Sequence, residues 1–184
     1  MKPLTKAIAV ALIQVLLVCS LGAKLLYDRR TRPQAWFKTA RYDPNLPIRG
    51  RYLSLQLEVN DPRPPQEIED KFGSQAQPWA AFGQECGSII LRDGTAIPEF
   101  DNSQTWNCDN LTFVRWRDSR GQTHLRLSEP LLFFIPDTAK DPTGLPVGDE
   151  LWVLATIPRK GPPRPITLGV KKAGETTITP LALN

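Results

Sequence analysis

The N-terminal segment constrains this chain more than any other feature of its sequence. An apolar run from Ala7 to Ala23 contains one polar amide, Gln14, and no charged side chain. Continued to Tyr27, where an aromatic ring suits the membrane interface, the run gives a helix of roughly 31 Å. The hydrocarbon core of a bilayer is about 30 Å thick. We therefore predict that residues 7–27 cross a lipid bilayer.

Basic side chains flank the apolar run on both sides. A count of Lys and Arg alone would leave the C-terminal side in the cytoplasm. A short basic stretch followed by an apolar core and small residues is nevertheless typical of a signal anchor. We predict that residues 1–32 form a single-pass membrane anchor and that residues 33–184 lie on the extracytoplasmic side. The flanking basic residues are Lys2, Lys6, Lys24, Arg29, Arg30 and Arg32.

Two other interpretations of this segment remain open. In the first, it is a cleaved secretory signal, with Ser20-Leu21-Gly22 as a small-residue cleavage site before Ala23. In the second, Cys19 is lipid-modified, although Val18 stands where a small residue is expected. Cleavage would send the rest of the chain to the same compartment as an uncleaved anchor.

The formal charge of +4 belongs to the anchor. Residues 1–32 hold six of the 23 Lys and Arg and one of the 19 acids, which leaves 17 and 18 for residues 33–184. A near-neutral domain gives no argument for nucleic-acid binding. The basic flank of the anchor can instead contact anionic headgroups.

The rest of the chain predicts an all-β domain. Seventeen of the 18 prolines and 11 of the 12 glycines lie beyond the anchor, a distribution that favours short strands joined by turns. Leu53, Leu55, Leu57 and Val59 alternate with polar residues, as in a half-buried strand. We expect a sandwich or partly open barrel of about eight strands. The predicted strands are 51–59, 86–92 up to a turn at Asp93-Gly94, 111–117, 123–127, 131–135, 151–157, 166–171 and 176–183, with a helical turn at 66–72.

Three segments are predicted to be irregular. Residues 28–47 form a stalk whose Trp36 and Phe37 pack back onto the domain or the interface. Residues 73–84 and 98–109 form loops. The nearly continuous apolar runs 131–135 and 151–157 suggest strands that are covered on both faces.

The segments 111–117 and 123–127 predict a hairpin across Asp118-Ser119-Arg120-Gly121. With Arg117 opposite Gln122, one face holds Thr112, Val114, Trp116, Leu125 and Leu127. The other face then carries a basic patch of Arg115, Arg117, His124 and Arg126. Such a patch suits an acidic partner or lipid phosphates, and the alternative is a solvated face balanced by nearby acids.

Cys86 and Cys108 are the two cysteines of the predicted domain. In an exported domain they predict a disulfide, and two separate buried thiols are the alternative.

Few residues suggest catalysis. His124 is the single histidine, which excludes a multi-His metal site and leaves no second histidine for a triad. No phosphate-binding Gly-rich loop is present, and the acids are scattered. We predict no catalytic residue, metal or cofactor. Two alternatives remain: an envelope hydrolase with a cleft that joins Ser88, or acids such as Asp43 and Glu85, to a base, and a ligand-binding domain lined by Trp79, Trp106, Trp116 and Trp152.

The stretch from Asp43 to Leu57 resembles the signature of the GDYXXLXY family of bacterial membrane-anchored proteins. Arg51 stands where the signature has Asp, and Leu57 stands where it has Tyr. A later stretch, Phe134-Ile135-Pro136, is similar to the family's F-V-P segment, with Asp137 at the usual acidic position. The matching residues of the main stretch are Asp43, Pro44, Leu46, Arg49, Gly50, Tyr52 and Leu55.

The resemblance implies a single-pass protein with an extracytoplasmic β-rich domain and an uncharacterised biochemical role. Members of the family look like companions of multi-pass membrane proteins. We therefore predict an accessory or interaction protein that partners an integral membrane protein.

Overall fold

The computed structural model describes residues 3–40, 52–73, 81–103, 108–136, 138–139, 142 and 144–182. The chain divides into two compact units, Met1–Arg32 and Pro33–Asn184. This division coincides with the predicted boundary between anchor and domain.

The first unit contains one long helix, α1, from Pro3 to Thr31. Within its stretch Lys6–Thr31, the most apolar window of 18 residues has a mean hydropathy of 2.2, and none of that window is buried in the protein. The helix is long and apolar enough to cross a membrane, as a membrane anchor or a signal sequence would be.

The second unit is mainly β, as predicted. It has eleven described strands rather than about eight, because residues of the predicted stalk and loop also form strands and the predicted strand 51–59 is divided in two. One short helix, α2, spans Pro65–Phe72. The strands are β1 Gln34–Thr39, β2 Tyr52–Leu55, β3 Leu57–Val59, β4 Ala81–Arg92, β5 Thr95–Phe100, β6 Leu111–Arg117, β7 Thr123–Leu127, β8 Leu131–Phe134, β9 Glu150–Thr156, β10 Arg164–Lys171 and β11 Thr179–Pro180.

Nine strands form one antiparallel sheet in the order β11-β10-β9-β1-β3-β7-β6-β4-β5. The terminal strand β5 also approaches β1 and β3 near the middle of the order, so the sheet curls over the core. β2 and β8 form a separate antiparallel pair, and β8 approaches β10. One apolar core contains buried side chains from both sheets.

The predicted alternation of residues 53–59 is confirmed, since the four apolar side chains are all buried. The chain nevertheless leaves one sheet and enters the other at Gln56, between β2 and β3. The Gln56 carbonyl accepts a hydrogen bond from the Ala40 amide at 2.8 Å. Leu55 and Leu57, on either side of the change, have relative exposures of 2% and 0%.

The predicted turn at Asp93-Gly94 is present, with positive φ at both residues (51° and 78°). A two-residue turn of this kind joins the strands of a tight hairpin. β4 therefore returns immediately as β5, which was predicted as loop from Pro98 onward. Pro98 lies inside this strand, which is compatible with its edge position in the sheet.

The predicted stalk at 28–47 is wrong in its described part. Residues up to Thr31 continue α1, and residues 34–39 form β1 between β9 and β3. Phe37 is 2% exposed in the core, and Trp36 lies half-buried on the opposite face. Gly169 makes room for Trp36, because a Cβ at position 169 would lie 2.8 Å from the indole ring.

Candidate functional site

The pair β2–β8 exposes an apolar surface that no described element covers. Tyr52, Leu132 and Phe134 have relative exposures of 53%, 62% and 50%. We call these three residues the apolar face. Tyr52 pairs with Phe134 across the two strands, and their rings meet edge to face at 5.6 Å between centroids. The prediction that residues 131–135 are covered on both sides is therefore wrong.

The opposite side of the same pair belongs to the core. Leu53, Leu55, Leu131 and Phe133 are all buried. Because successive residues of a strand point to opposite faces, burying this set leaves the apolar face outside. The outer face of such a sheet usually carries polar side chains. Here it carries two aromatic rings and a leucine.

The two stretches that carry the family resemblance meet at this face. Tyr52 belongs to the first stretch and Phe134 to the second, and they are direct partners in the ladder. Leu55, also a motif position, is buried on the core side. The remaining residues of the first stretch that match the motif lie outside the described residues; they are Asp43, Pro44, Leu46, Arg49 and Gly50.

A second feature of the domain is a group of five charged side chains beneath α2, here called the ion cluster. It comprises Asp61 and Arg63 after β3, Lys71 on α2, Glu85 on β4 and Arg115 on β6. The Arg115 side chain is wholly buried, and the Glu85 side chain is 8% exposed.

Two arginines of the ion cluster share two carboxylates. Arg115 contacts the Asp61 carboxylate at 2.6 Å and is ion-paired with Glu85. Arg63 donates to Asp61 at 3.0 Å through Nε and to Glu85 at 2.7 Å through a terminal nitrogen. Lys71 Nζ adds a contact of 2.6 Å to Glu85. Each carboxylate therefore faces at least two cations.

Aromatic rings complete the surroundings of this cluster. The Arg63 guanidinium lies 3.9 Å from the Phe100 ring centroid, and the Arg115 guanidinium lies 4.7 Å from that of Phe72. Burial by itself would lower the pKa of Arg63, but hydrogen bonds to Asp61 and Glu85 outweigh it and raise that pKa. The arrangement pairs every charged group of the ion cluster with an opposite charge.

The predicted basic patch is wrong because the hairpin register differs by one residue. Arg117 pairs with Thr123 rather than Gln122. A shift of one residue moves every side chain of a strand to the other face. Arg115 and Arg117 therefore lie on the inner side, whereas His124 and Arg126 lie on the outer side, opposite Trp116 and Val114.

On the outer side, His124 and Arg126 are engaged with neighbours. The His124 ring stacks on Trp116 at 4.7 Å, and its Nε2 lies 3.3 Å from an Asp118 carboxylate oxygen. Arg126 donates to the Gln56 side chain at 2.8 Å. These contacts leave a mixed polar surface instead of a basic patch.

A cleft of about 590 Å³ opens between α2 and the β3–β7 ladder. Its charged lining comes from Glu58, Asp61, Arg63, Glu69 and His124. Asp61 and Arg63 are already paired within the ion cluster. Among the described residues, no three His, Cys, Asp or Glu side chains are grouped to hold a metal ion.

The residues named for a hydrolase do not converge in the described part of the chain. Ser88 lines a shallow cleft of about 350 Å³ with Glu99, Asp101 and Asp109, and His124 is not in that lining. Glu85 is paired in the ion cluster instead of facing Ser88. Asp43 lies outside the described residues.

The tryptophans named for a ligand site are also spread apart. Trp116 on β6 and Trp152 on β9 are separated in the sheet by β7, β3 and β1. At about 4.8 Å per strand, this places them roughly 19 Å apart along the sheet. Trp79 and Trp106 lie outside the described residues.

Cys86 and Cys108 form a disulfide, with their Cα atoms 5.2 Å apart. Cys86 is buried in β4 beside Glu85, so the bond fixes the segment before β6 to the strand that carries one acid of the ion cluster. Cys19 is a free thiol on the exposed surface of α1.

Comparisons with protein-family models, curated proteins and solved structures found no match. The apolar face and the ion cluster are therefore interpreted from their own chemistry.

Sequence reasoning missed the ion cluster because it assigned Arg115 to a wet face. One signal was available, since Leu111, Phe113 and Arg115 occupy every second position of β6 and so share one face, as Leu125 and Leu127 do in β7. Placing the four apolar residues inside forces Arg115 inside as well. The identity of its partners, Asp61 and Glu85, depends on contacts between distant segments that no local pattern encodes.

Proposed function

We propose that this protein is a single-pass membrane-anchored accessory protein whose β domain binds an integral membrane protein through the apolar face. The observation that carries the proposal is the exposure of Tyr52, Leu132 and Phe134 together on one two-stranded sheet. α1 supplies the anchor, and the domain supplies the recognition surface.

The energetics favour a partner for this face. Fully burying a Leu or Phe side chain stabilises a protein or complex by roughly 1.5–3 kcal/mol. The three side chains of the apolar face project from strands whose other face is buried in the core. They resemble the aromatic and aliphatic anchors at the centre of interfaces. Scattered apolar residues need no explanation, but adjacent ones on one face indicate an interaction site.

An anchored domain needs less contact area than a freely diffusing one. Tethering to the same membrane raises the effective concentration of the partner and converts a weak contact into a stable association. A patch of three side chains suits such a tethered contact with an integral membrane protein. The resemblance to the GDYXXLXY family supports the same class of partner, because members of that family look like companions of multi-pass proteins.

The disulfide supports placement of the domain outside the cytoplasm. Disulfides form and persist in oxidising compartments and are rare in the cytosol. The domain would then lie on the extracytoplasmic side of the bacterial cytoplasmic membrane, as the signal-anchor layout of residues 1–32 also suggests.

Site-specific crosslinking in intact cells tests the proposal. A photo-crosslinking amino acid replaces Leu132, and a control chain carries it at Leu91, which is 40% exposed on β4. We expect a discrete crosslinked integral membrane protein from position 132 and none from position 91. The substitution Phe134→Asp, introduced together with the probe, should abolish the product.

The proposal fails if position 132 yields no more adducts than position 91 in correctly localised protein. Protease added to spheroplasts tests the side of the membrane. Cleavage of the domain without lysis is expected, and full protection would place it in the cytoplasm.

A further inference from the structure

Gln14 is the one polar amide in the apolar run of α1, and it lies near the middle of that run. It follows Ala7 by seven residues and precedes Ala23 by nine. At 1.5 Å per residue these separations are roughly 10 Å and 14 Å along the helix axis. A Lys side chain at the edge of the bilayer can extend to water, but a glutamine side chain is too short to do so from this depth.

α1 offers the Gln14 amide no partner of its own. The side chains one turn away in either direction are all apolar. Ser20 differs, because its hydroxyl donates to the Leu17 carbonyl of the same helix at 2.8 Å. No water is present in the hydrocarbon core to satisfy an amide, so an unpaired Gln14 would cost free energy there. The neighbours of Gln14 one turn away are Val10, Ala11, Leu17 and Val18.

Gln14 also belongs to a continuous line of residues along α1, here called the seam. Its members are spaced alternately by three and four residues, which is the spacing at which two helices pack at a shallow left-handed crossing. The three large apolar members have relative exposures of 55%, 59% and 61%. The small Ala7 allows a second backbone to approach closely. The seam comprises Ala7, Val10, Gln14, Leu17 and Leu21.

We propose that α1 forms a parallel dimer with α1 of a second copy of this chain, and that the two Gln14 side chains hydrogen-bond to each other across the seam. The proposal rests on the anchor role of α1 in the proposed function. A glutamine amide carries both donors and an acceptor, so two such groups satisfy each other. A single polar residue in a helical seam of this kind fixes the register and the number of helices.

The depth of Gln14 favours a second copy over an unrelated helix. Two copies inserted in the same orientation bring their Gln14 residues to the same depth without any further condition. An unrelated helix would need its own polar group at that depth and on the facing side. The dimer therefore follows from the properties of this chain alone.

Sedimentation equilibrium of the full-length protein in density-matched detergent micelles tests the dimer. We expect a reversible equilibrium between monomer and dimer for the wild type. Gln14→Leu should raise the dissociation constant roughly five- to thirtyfold, which is the range that hydrogen bonds between polar side chains contribute in model membrane helices.

Two further variants separate the amide from general effects on α1. Gln14→Asn keeps the amide and should retain most of the association. Ser20→Ala removes a polar group that bonds within its own helix, so it should leave the dissociation constant unchanged. A monomeric wild type, or a Gln14→Leu variant that associates as strongly as the wild type, would overturn the proposal.

Cysteine crosslinking in membranes tests which side of α1 forms the contact. Leu17→Cys lies in the seam, whereas Leu16→Cys, at nearly the same depth, points about 100° away from it. Both are made in full-length protein that also carries Cys19→Ser. Mild oxidation should give a product of twice the chain mass from position 17 and much less from position 16. Equal yields from the two positions would contradict the seam.

Alkaline extraction of membranes distinguishes this failure from failure of the anchor role. A chain that stays with the membrane but is monomeric refutes only the helix dimer. Release of the intact chain from the membrane refutes the anchor and the dimer together.

Discussion

The ion cluster and the apolar face distribute charge and apolar surface in opposite ways within one domain. Arg115 is wholly buried among charged and aromatic neighbours, while Leu132 on a small outer sheet is 62% exposed. The buried charges find all their partners inside the protein. The exposed apolar residues contact one another, as Tyr52 and Phe134 do, but no other described element covers them. The ion cluster therefore stabilises the fold, whereas the apolar face is suited to recognition of a partner.

The largest effect is expected from breaking the ion cluster. Arg115→Met should lower the free energy of unfolding by about 3–5 kcal/mol, because it leaves the buried carboxylates of Asp61 and Glu85 undercompensated. Chemical denaturation of the full-length protein in detergent, followed by tryptophan fluorescence, measures the loss. Arg117→Met is the control on the same strand face; Arg117 forms an ion pair at 3.7 Å with Glu69, which is half exposed, so the loss of stability should be much smaller.

Equal losses in the two arginine variants would contradict the special role given to the buried charge. They would indicate that the cost comes from lost side-chain packing in β6 instead.

A neighbouring pair of leucines sharpens the comparison at the apolar face. Leu131→Ala should cost about 3 kcal/mol, since Leu131 is buried and its removal leaves a cavity. Leu132→Ala, the same chemical change one residue later, should alter stability by less than about 0.5 kcal/mol. The same denaturation experiment measures both. A large loss at position 132 would mean that this side chain serves the fold.

The disulfide should contribute about 3 kcal/mol, since it closes a loop with a sequence separation of 22 residues. Cys86→Ser combined with Cys108→Ser should lower the midpoint of thermal unfolding measurably. Cys19→Ser is the matched control and should leave the unfolding of the domain unchanged. A double variant as stable as the wild type would show that the loop is already restrained by other contacts.

The smallest effect concerns two glutamates that flank Lys38. Burial raises the pKa of Glu58 above its usual 4.5, although Lys38 and other cations act against it. The folded state then binds this proton more tightly than the unfolded state, so ionised Glu58 is unfavourable above the folded pKa. Glu58→Gln should therefore stabilise the protein at neutral pH, by less than about 1 kcal/mol, and the gain should vanish below the unfolded pKa.

Glu150 should respond with the opposite sign. Burial acts to raise its pKa, but hydrogen bonds from Lys38 and Trp152 outweigh this and lower it. Glu150→Gln should cost stability at neutral pH, and the cost should fade as the pH drops through the folded pKa. Unfolding curves between pH 3 and pH 7 measure both variants, and equal signs would contradict the assignment.

The elements with regular alternation could be predicted from sequence. Leu53 to Val59 and the turn at Asp93-Gly94 are local patterns, and both are present. β1 and β5 were missed because no such pattern marks them: β1 follows the basic flank directly, and β5 contains Pro98. Their strand character comes from neighbours in the sheet, which local propensity does not include.

The candidate sites were harder to predict for a related reason. The rule that charged residues avoid the interior placed Arg115 outside, and this fixed the wrong register. Likewise, the run Leu131–Phe134 looked doubly covered because apolar residues are expected to be buried. Both errors arise where the chain departs from the average distribution of charge and apolar surface.

The passage of the chain from one sheet to the other at Gln56 has a mechanical consequence. Leu55 and Leu57 are both buried, so the backbone at Gln56 ties the pair β2–β8 to the nine-stranded sheet, as residues 128–130 do between β7 and β8. Melting of either sheet must loosen the other, and amide exchange at these two positions should occur only through global opening. Force applied through a partner bound at Phe134 would be shared by the entire domain.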